Sequence, residues 1–254
     1  MSERGNQAIR FVFVAPRYGG NVGSAARVLK NFGFGRLDVV APREGSDHEE
    51  AVRMAVDAGD VLAAARTHAT LDDALLGAAT VVGTSRRMGK HRRPHDRVDV
   101  LAPLIAGLAG RGEVALVFGR EDHGLSDADL DRCTHLAYVP TDPGYPALNV
   151  AQTIAIVAYE VRRALDAAGP QTFDPEDEGL ADHASREAMY AHLEEALLTI
   201  GFLKSGQLEG MMRRLRRILS RAELSPGDVD VVRGIARQIL WLAKQARIDE
   251  TQRP

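Results

Sequence analysis

Near its start the chain reads IRFVFVAPRYGGNVGSAARVLKNF (residues 9–32). Its first six residues mostly favour strands, a turn with proline and glycine follows, and small and apolar residues then recur at helical spacing. This order predicts a strand over residues 9–14 that leads through a loop into a helix over residues 22–32. Because a strand followed directly by a helix is the repeating unit of parallel sheets, the stretch favours an α/β fold.

The same alternation continues through residue 165. Four further short apolar runs, bounded by glycine, proline or charged residues, predict strands over residues 37–40, 80–83, 114–118 and 136–139. Between and after them, helical patterns cover residues 49–58, 71–76, 98–108, 127–132 and 148–165. We therefore predict an α/β domain with a mostly parallel sheet over residues 1–165.

The sequence changes character after residue 165. Residues 166–184 contain six acidic residues, no lysine or arginine, and several prolines and glycines, which is typical of a linker. Three helical patterns follow, over residues 185–203, 207–221 and 226–247, and Ser225-Pro226 is typical of a helix start. We predict a small α-helical extension over residues 185–254, with Leu240 and Trp241 in its core.

The bulk composition excludes several classes of protein. The 254 residues are 45% hydrophobic and 26% charged, as in globular proteins, and a formal net charge of −3 means that any nucleic-acid-binding surface must be local. Cys133 is the only cysteine, which excludes an internal disulfide and a cysteine zinc cluster and fits a reducing cytosol. Residues 1–7 lack the apolar segment of a signal peptide, and residues 148–165 hold too many polar side chains for a membrane span. We expect a cytoplasmic protein without membrane association, and without a metal because no His/Asp/Glu cluster has ligand spacing.

In open α/β sheets, ligands bind beyond the carboxyl ends of the strands. The loops that leave the predicted strands there are residues 16–27, 84–86, 119–125 and 140–149. They are rich in glycine, proline and small polar residues, which let the backbone approach a ligand closely. Such loops suit an adenine ring and a thioether better than a triphosphate.

A dinucleotide site is the obvious alternative. It needs G-x-G-x-x-G and an acidic residue about 20 positions later. Gly19, Gly20 and Gly23 miss that spacing, the strand over residues 37–40 ends without an acidic residue, and no Walker A lysine is present. The sequence therefore disfavours a nicotinamide or nucleoside triphosphate site.

Three motifs carry a resemblance to a known family. They are NVGSAAR (residues 21–27), LVFGREDHGL (residues 116–125) and LNVA (residues 148–151). Their order and spacing over residues 8–165 resemble the SpoU class of RNA 2′-O-methyltransferases, within the SPOUT superfamily. MMRRLRRILSRA (residues 211–222) and VRGI (residues 232–235) are similar to the C-terminal extension of the bacterial branch that methylates cytidine or uridine at tRNA position 32.

The resemblance implies a fold, a cofactor and an assembly. It implies a parallel-sheet SPOUT domain closed by a C-terminal trefoil knot, although knots are too rare for sequence periodicity to suggest one. It implies S-adenosyl-L-methionine as methyl donor, a ribose 2′-hydroxyl of tRNA as acceptor, and a homodimer with the active site near the subunit interface.

The resemblance also implies site residues. The polar functional set is Arg27, Glu121, Asn149 and Asn21, and Asn21 is also a candidate cap of the first helix. The cofactor pocket would be lined by Thr84, Ser85, Arg86, Gly119, Arg120, Gly124, Val139, Pro140, Pro146, Ala147 and Leu148. The family often has serine where this chain has Ala147, and we expect the contact there to come from the backbone.

Two basic clusters are candidate RNA contacts, over residues 86–97 and 204–221. The residues predicted to bind RNA are Arg87, Lys90, Arg92, Arg93, Arg213, Arg214 and Arg217. Phosphate contacts of this kind supply affinity rather than sequence reading. The alternatives are that the first cluster is a solvated loop and the second the wet face of an amphipathic helix.

Two alternatives to tRNA methylation stay open at this point. One is an rRNA 2′-O-methyltransferase of the same class, and the other is a non-catalytic RNA-binding SPOUT protein. Intact Arg27, Glu121 and Asn149 argue against the non-catalytic alternative, and Ala147 weakly favours it.

Overall fold

The computed structural model describes residues 6–44, 46–85, 95–169 and 178–245. The chain forms two compact units, Met1–Asp174 and Pro175–Pro254. Among the described residues, no helix has both the length and the apolar character needed to cross a membrane.

The first unit is built on a seven-stranded sheet in which every neighbouring pair is parallel. The strands are β1 (Ile9–Val14), β2 (Leu37–Val40), β3 (Arg66–His68), β4 (Ala78–Thr84), β5 (Asp96–Arg97), β6 (Glu113–Phe118) and β7 (His135–Tyr138). Their spatial order is β3-β2-β1-β6-β4-β7-β5. The α/β class and the parallel sheet are confirmed, while the knot stays a prediction.

Helices connect the strands. They are α1 (Gly19–Asn31), α2 (His48–Ala55), α3 (Gly59–Ala63), α4 (Leu71–Ala74), α5 (Val98–Leu108), α6 (Asp127–Arg132) and α7 (Val150–Ala168), with a 3-10 turn over Val56–Ala58. Helix α7 packs against both α1 and α5. The five predicted strands and the helices predicted between them are present, with shifts of up to a few residues at their ends.

The core explains why the central strands are mostly apolar. All six residues of β1 are buried, because the sheet is covered on both faces. Phe11 packs against Phe34 and Phe118 on one face, and Val12 belongs to the cluster with Val117 on the other. This burial fixes the register of β1 against β6, with Phe11 opposite Leu116.

The sheet order positions the site. Strand β1 lies between β2 and β6, and β4 lies between β6 and β7. Because all the strands are parallel, the segments that follow β1, β4, β6 and β7 emerge at one edge of the sheet. These are the loops that carry the three motifs.

Two strands were not predicted, namely β3 and β5. Each has three residues or fewer, and their charged side chains are largely exposed, so they lack the apolar run that identifies a buried strand. Helix α7 also ends later than predicted and occupies residues 166–168 of the predicted linker. An ion pair between Arg162 and Asp166 supports its last turns, and Gly169 leaves the helix at φ 67°.

Over residues 178–245 the second unit contains three α-helices, α8 (His183–Thr199), α9 (Leu208–Leu219) and α10 (Pro226–Gln245), with a 3-10 turn over Ser205–Gln207. Its core includes Met189, Tyr190, Met212 and Val229. The prediction that Trp241 belongs to this core is wrong. Trp241 is 52% exposed, because α10 buries the side that carries Val229, Ala236 and Ala243.

Candidate active site

The carboxylate of Glu121, three residues beyond the end of β6, accepts hydrogen bonds from the segment that follows β1. Glu121 Oε2 accepts the backbone N–H of Arg17 at 3.0 Å, and Oε1 accepts the backbone N–H of Tyr18 at 3.3 Å. Oε1 also accepts the side-chain amide of Asn21 at 3.0 Å. Glu121 therefore ties the loop after β6 to the loop after β1.

Asn21 passes this connection to the third motif. Its Oδ1 accepts a hydrogen bond from Nδ2 of Asn149 at 3.1 Å. The Oδ1 of Asn149 in turn accepts the backbone N–H of Ala151 at 2.8 Å, so that Asn149 caps α7. Three of the four predicted polar residues thus form one hydrogen-bonded chain across three loops.

The prediction that Asn21 caps the first helix is wrong. Helix α1 begins at Gly19, two residues earlier, and its N-cap is Tyr18, which makes no side-chain capping bond. Asn21 lies inside the first turn. Its side chain instead donates a hydrogen bond to Glu121 and accepts one from Asn149.

A cavity of about 660 Å³ opens beside this network, with Glu121 in its wall. The predicted cofactor residues that line it are Thr84, Ser85, Gly119, Arg120, Gly124, Val139, Pro146, Ala147 and Leu148. Pro140 is not among the lining residues, and Arg86 lies outside the described residues. Thr84 is held by donating its hydroxyl to the carbonyl of Val117 at 3.0 Å.

The loop after β6 needs glycine for its shape. Gly124 has φ 69°, and its N–H donates to the carbonyl of Arg120 at 2.9 Å, which closes a tight turn. A Cβ on Gly119 would lie 2.1 Å from the carbonyl carbon of Gly124, so a side chain there would force the turn open. The two glycines of this motif therefore bring backbone to the cavity wall.

Sequence reasoning missed several other lining residues, including His95, Asp122 and Asp129. Burial tends to raise the pKa of Asp122, but the positive charges of Arg120 and Arg43 and the nearby His123 outweigh it, and the pKa is lowered. Arg120 and Arg43 lie 3.3 and 3.4 Å from its carboxylate. The acidic residues of the segment that follows Gly124 were the feature of the sequence that could have indicated carboxylates in the cavity wall.

Arg27 stands apart from the network. It is an exposed residue of α1, it does not line the cavity, and its side chain makes no hydrogen bond or ion pair with any residue in the described ranges. The fourth predicted polar residue is thus not brought to the site within one chain.

Gly19 and Gly23, in the segment that follows β1, serve packing rather than ligand approach. A Cβ on Gly23 would lie 2.0 Å from the carbonyl oxygen of Ala51, where α1 crosses α2. Gly19 meets the carbonyl oxygen of Asp47 in the same way, at 1.8 Å. The expectation that these glycines let backbone reach a ligand is therefore wrong for the first loop.

The predicted RNA-binding residues fall into two groups. Arg87, Lys90, Arg92 and Arg93 lie outside the described residues. On α9, Arg213 is paired with Glu209 at 2.7 Å, whereas Arg214 and Arg217 form no side-chain hydrogen bond or ion pair within the described part of the chain.

Comparison with known families identifies the class of protein that has this parallel sheet, hydrogen-bonded network and cavity. The family model of the SpoU rRNA Methylase family matches residues 8–159, and the chain belongs to this family. A second model, described as the C-terminal domain of tRNA methyltransferase TrmJ, matches residues 184–251.

Individual relatives cover nearly the whole chain. The tRNA (cytidine/uridine/adenosine-2′-O-)-methyltransferase TrmJ of Pseudomonas aeruginosa (strain UCBPP-PA14) is 38% identical, over 93% of this chain and 95% of that protein. The tRNA (cytidine/uridine-2′-O-)-methyltransferase TrmJ of Citrobacter koseri is 37% identical, over 92% and 96% respectively. The crystal structure of TrmJ from Z. mobilis ZM4 superposes with a TM-score of 0.78 at 29% identity, covering 91% of this chain and 98% of that one.

Proposed function

We propose that this protein transfers a methyl group from S-adenosyl-L-methionine to a ribose 2′-hydroxyl of tRNA. The observation that carries the proposal is the hydrogen-bonded chain of Glu121, Asn21 and Asn149, in which Glu121 lies in the wall of the cavity. The relatives named tRNA 2′-O-methyltransferases, at 37–38% identity over more than nine-tenths of the chain, support tRNA as the substrate. Cytidine or uridine at position 32 is the finer form of the proposal.

The lining of the cavity fits S-adenosyl-L-methionine. Its volume of about 660 Å³ lies within the usual range for small-molecule sites, about 300–1,000 Å³. Leu125, Val139 and Leu148 offer apolar contact to an adenine ring, and a cationic ligand would meet further carboxylates in the lining, from Asp127, Asp129 and Asp131. The bound cofactor would supply a methyl group that its sulfonium already activates.

The protein's own task is then to place the ribose and to stabilise the charge that develops on its oxygen. Positioning of reacting groups can lower a barrier by about 7–11 kcal/mol. We assign this positioning to the loops that Glu121, Asn21 and Asn149 join, since a loop held by several charge-assisted hydrogen bonds keeps its geometry. Glu121 and Asn21 act on loop position here.

Arg27 is proposed to stabilise the oxygen as it loses its proton. A guanidinium stays protonated at neutral pH, so it does not act as a base. It can bind a developing alkoxide and a neighbouring phosphate while the proton leaves to phosphate or water. This role requires Arg27 to meet a cavity that its own chain does not bring to it.

A homodimer resolves this separation, because a second copy can supply its Arg27. Helix α5 supports dimer formation through exposed positions at helical spacing, namely Val100, Pro103, Leu104 and Gly107. Val100 is 64% exposed, and a solvated apolar stripe of this kind is typical of a face that another chain covers. We propose that this face contributes to the dimer interface.

The basic residues after Ser85 are proposed to contact tRNA phosphates. Ser85 lines the cavity, so the segment that follows begins beside the site. We expect the double substitution of Arg92 and Arg93 by glutamine to flatten the dependence of log K for tRNA on log salt, by about 0.9 for each phosphate that is no longer neutralised. An equilibrium binding series at several salt concentrations measures the slope. The pair Arg162→Gln and Arg163→Gln on α7 is the control, because both arginines are already paired with carboxylates.

The proposed function is tested by incubating the purified protein with methyl-labelled S-adenosyl-L-methionine and, in separate reactions, total tRNA or rRNA, then mapping ribose methylation. Label at a ribose of tRNA is the expected result. Label in rRNA but not in tRNA would support the rRNA alternative. Binding of the cofactor without label in any RNA would support a non-catalytic RNA-binding protein.

A further inference from the structure

Helix α10 exposes an aromatic side chain where the sequence predicts burial. Trp241 is 52% exposed, while the opposite side of the helix is buried through Val229, Ala236 and Ala243. The exposed part of the indole contributes little to the stability of its own unit. We therefore infer that it binds another molecule.

Two cations flank Trp241 on the same face of the helix. Arg237 precedes it by four residues and Lys244 follows it by three, so each lies about one helical turn away. Both side chains are exposed, and neither forms a hydrogen bond or ion pair with any residue whose position the structure describes. Arg216 of α9, by contrast, is paired with Glu187.

The C-terminal part of α10, which holds Trp241, carries basic but no acidic side chains. From Val231 to Gln245 it carries three cations, the third being Arg233, and no carboxylate. An exposed aromatic ring between two exposed cations is complementary to a nucleic-acid strand, because bases stack on the ring and phosphates pair with the cations.

We propose that Trp241, Arg237 and Lys244 form a stacking platform for an unpaired base of RNA, with the two cations holding the phosphates on either side. The proposal rests on the proposed function for the identity of the RNA, a tRNA. Stacking on tryptophan accepts any base, so the platform adds affinity and orientation rather than base selection.

A second copy of the chain is a weaker candidate for this face. A self-complementary contact across a twofold axis would bring Arg237 and Lys244 towards their own copies, and like charges in an interface are unfavourable. The neighbouring exposed residues Val231, Ile235 and Leu242 lie on a different, apolar side of α10 and suit self-association better.

Trp241 is the only tryptophan in the chain, so fluorescence excited at wavelengths that tyrosine does not absorb reports on this position alone. We expect an anticodon stem–loop RNA to quench the emission of the full-length protein in a saturable way. Heparin, a polyanion without bases, should bind without comparable quenching. An unchanged emission spectrum at saturating RNA would overturn the proposal.

Matched variants separate stacking from folding. Leu242 is 53% exposed and adjacent to Trp241, but it lies about 100° around the helix. We expect Trp241→Ala to weaken tRNA binding about fivefold or more, Trp241→Phe to retain most of the affinity, and Leu242→Ala to bind as the wild type does. The double variant Arg237→Gln and Lys244→Gln should reduce the salt dependence of binding.

The outcomes also separate this inference from the proposed function. If tRNA quenches the fluorescence but the protein methylates no RNA, the stacking platform is supported and the proposed enzymatic function is wrong. If the protein methylates tRNA and Trp241→Ala binds tRNA as tightly as the wild type does, the proposed function is supported and the stacking platform is wrong. Loss of self-association in Trp241→Ala, measured by sedimentation without RNA, would assign the face to a second copy and overturn the proposal.

Discussion

At the scale of single residues, Glu121 is the side chain on which the candidate site depends most. Its one carboxylate accepts two backbone N–H groups and the amide of Asn21, so both oxygens must be acceptors. Its place at the carboxyl end of β6 could be predicted from the motif. The pairing of Asn21 with Asn149 could not, because it depends on how two loops about 130 residues apart meet across the sheet.

Glu121→Gln is expected to keep the size of this side chain and to break the network. Replacing one acceptor oxygen by an NH₂ group places a donor opposite another donor, and removing a hydrogen bond to a charged group costs about 1.5–3 kcal/mol. We expect turnover to fall about tenfold or more. Single-turnover methylation and calorimetric cofactor binding measure the effect, with Glu49→Gln on the exposed side of α2 as control. Equal turnover and equal affinity would remove Glu121 from the site.

At the scale of elements, the sequence predicted long buried elements well and short exposed ones poorly. Strand β1 is apolar at five of its six positions because both faces of the sheet are covered, and it was predicted with its observed bounds. Strand β3 was missed because pairing with β2, rather than any apolar pattern, makes it a strand. The packing partner of Gly23 was not predicted either, because only the crossing of α1 and α2 shows that its Cβ would meet the backbone of Ala51.

Gly23→Ala tests that crossing. The added Cβ would lie 2.0 Å from the backbone of Ala51, which cannot rotate away as a side chain can, so α1 and α2 must separate. Overpacking of this kind costs about 1–3 kcal/mol of unfolding free energy, measured by denaturant titration. Gly59→Ala is the matched control, because Gly59 has helical φ −59° and open space around its Cβ position. If both variants unfold at the same denaturant concentration, the close approach of α1 to α2 does not require glycine at position 23.

At the scale of the whole molecule, the four polar residues named from the sequence divide between two places. Glu121, Asn21 and Asn149 converge, while Arg27 lies exposed on α1 without a partner in the described ranges. Sequence motifs specify which residues a site needs, but they do not specify which chain of an assembly supplies each one. The proposed homodimer assigns Arg27 of one protomer to the cavity of the other, and a closed twofold assembly would then contain two composite sites.

Mixed dimers distinguish this arrangement from a site built by one chain. Arg27→Ala and Asn149→Ala homodimers should both be inactive, since every site in each lacks one group. In a heterodimer of the two variants, purified through different tags, one composite site would lack both groups and the other would lack neither. We therefore expect about half of the wild-type methylation rate to return. A heterodimer as inactive as its parents would mean that Arg27 serves its own chain, through a movement of α1 towards the cavity. Sedimentation of the wild-type protein as a monomer under assay conditions would exclude a composite site altogether.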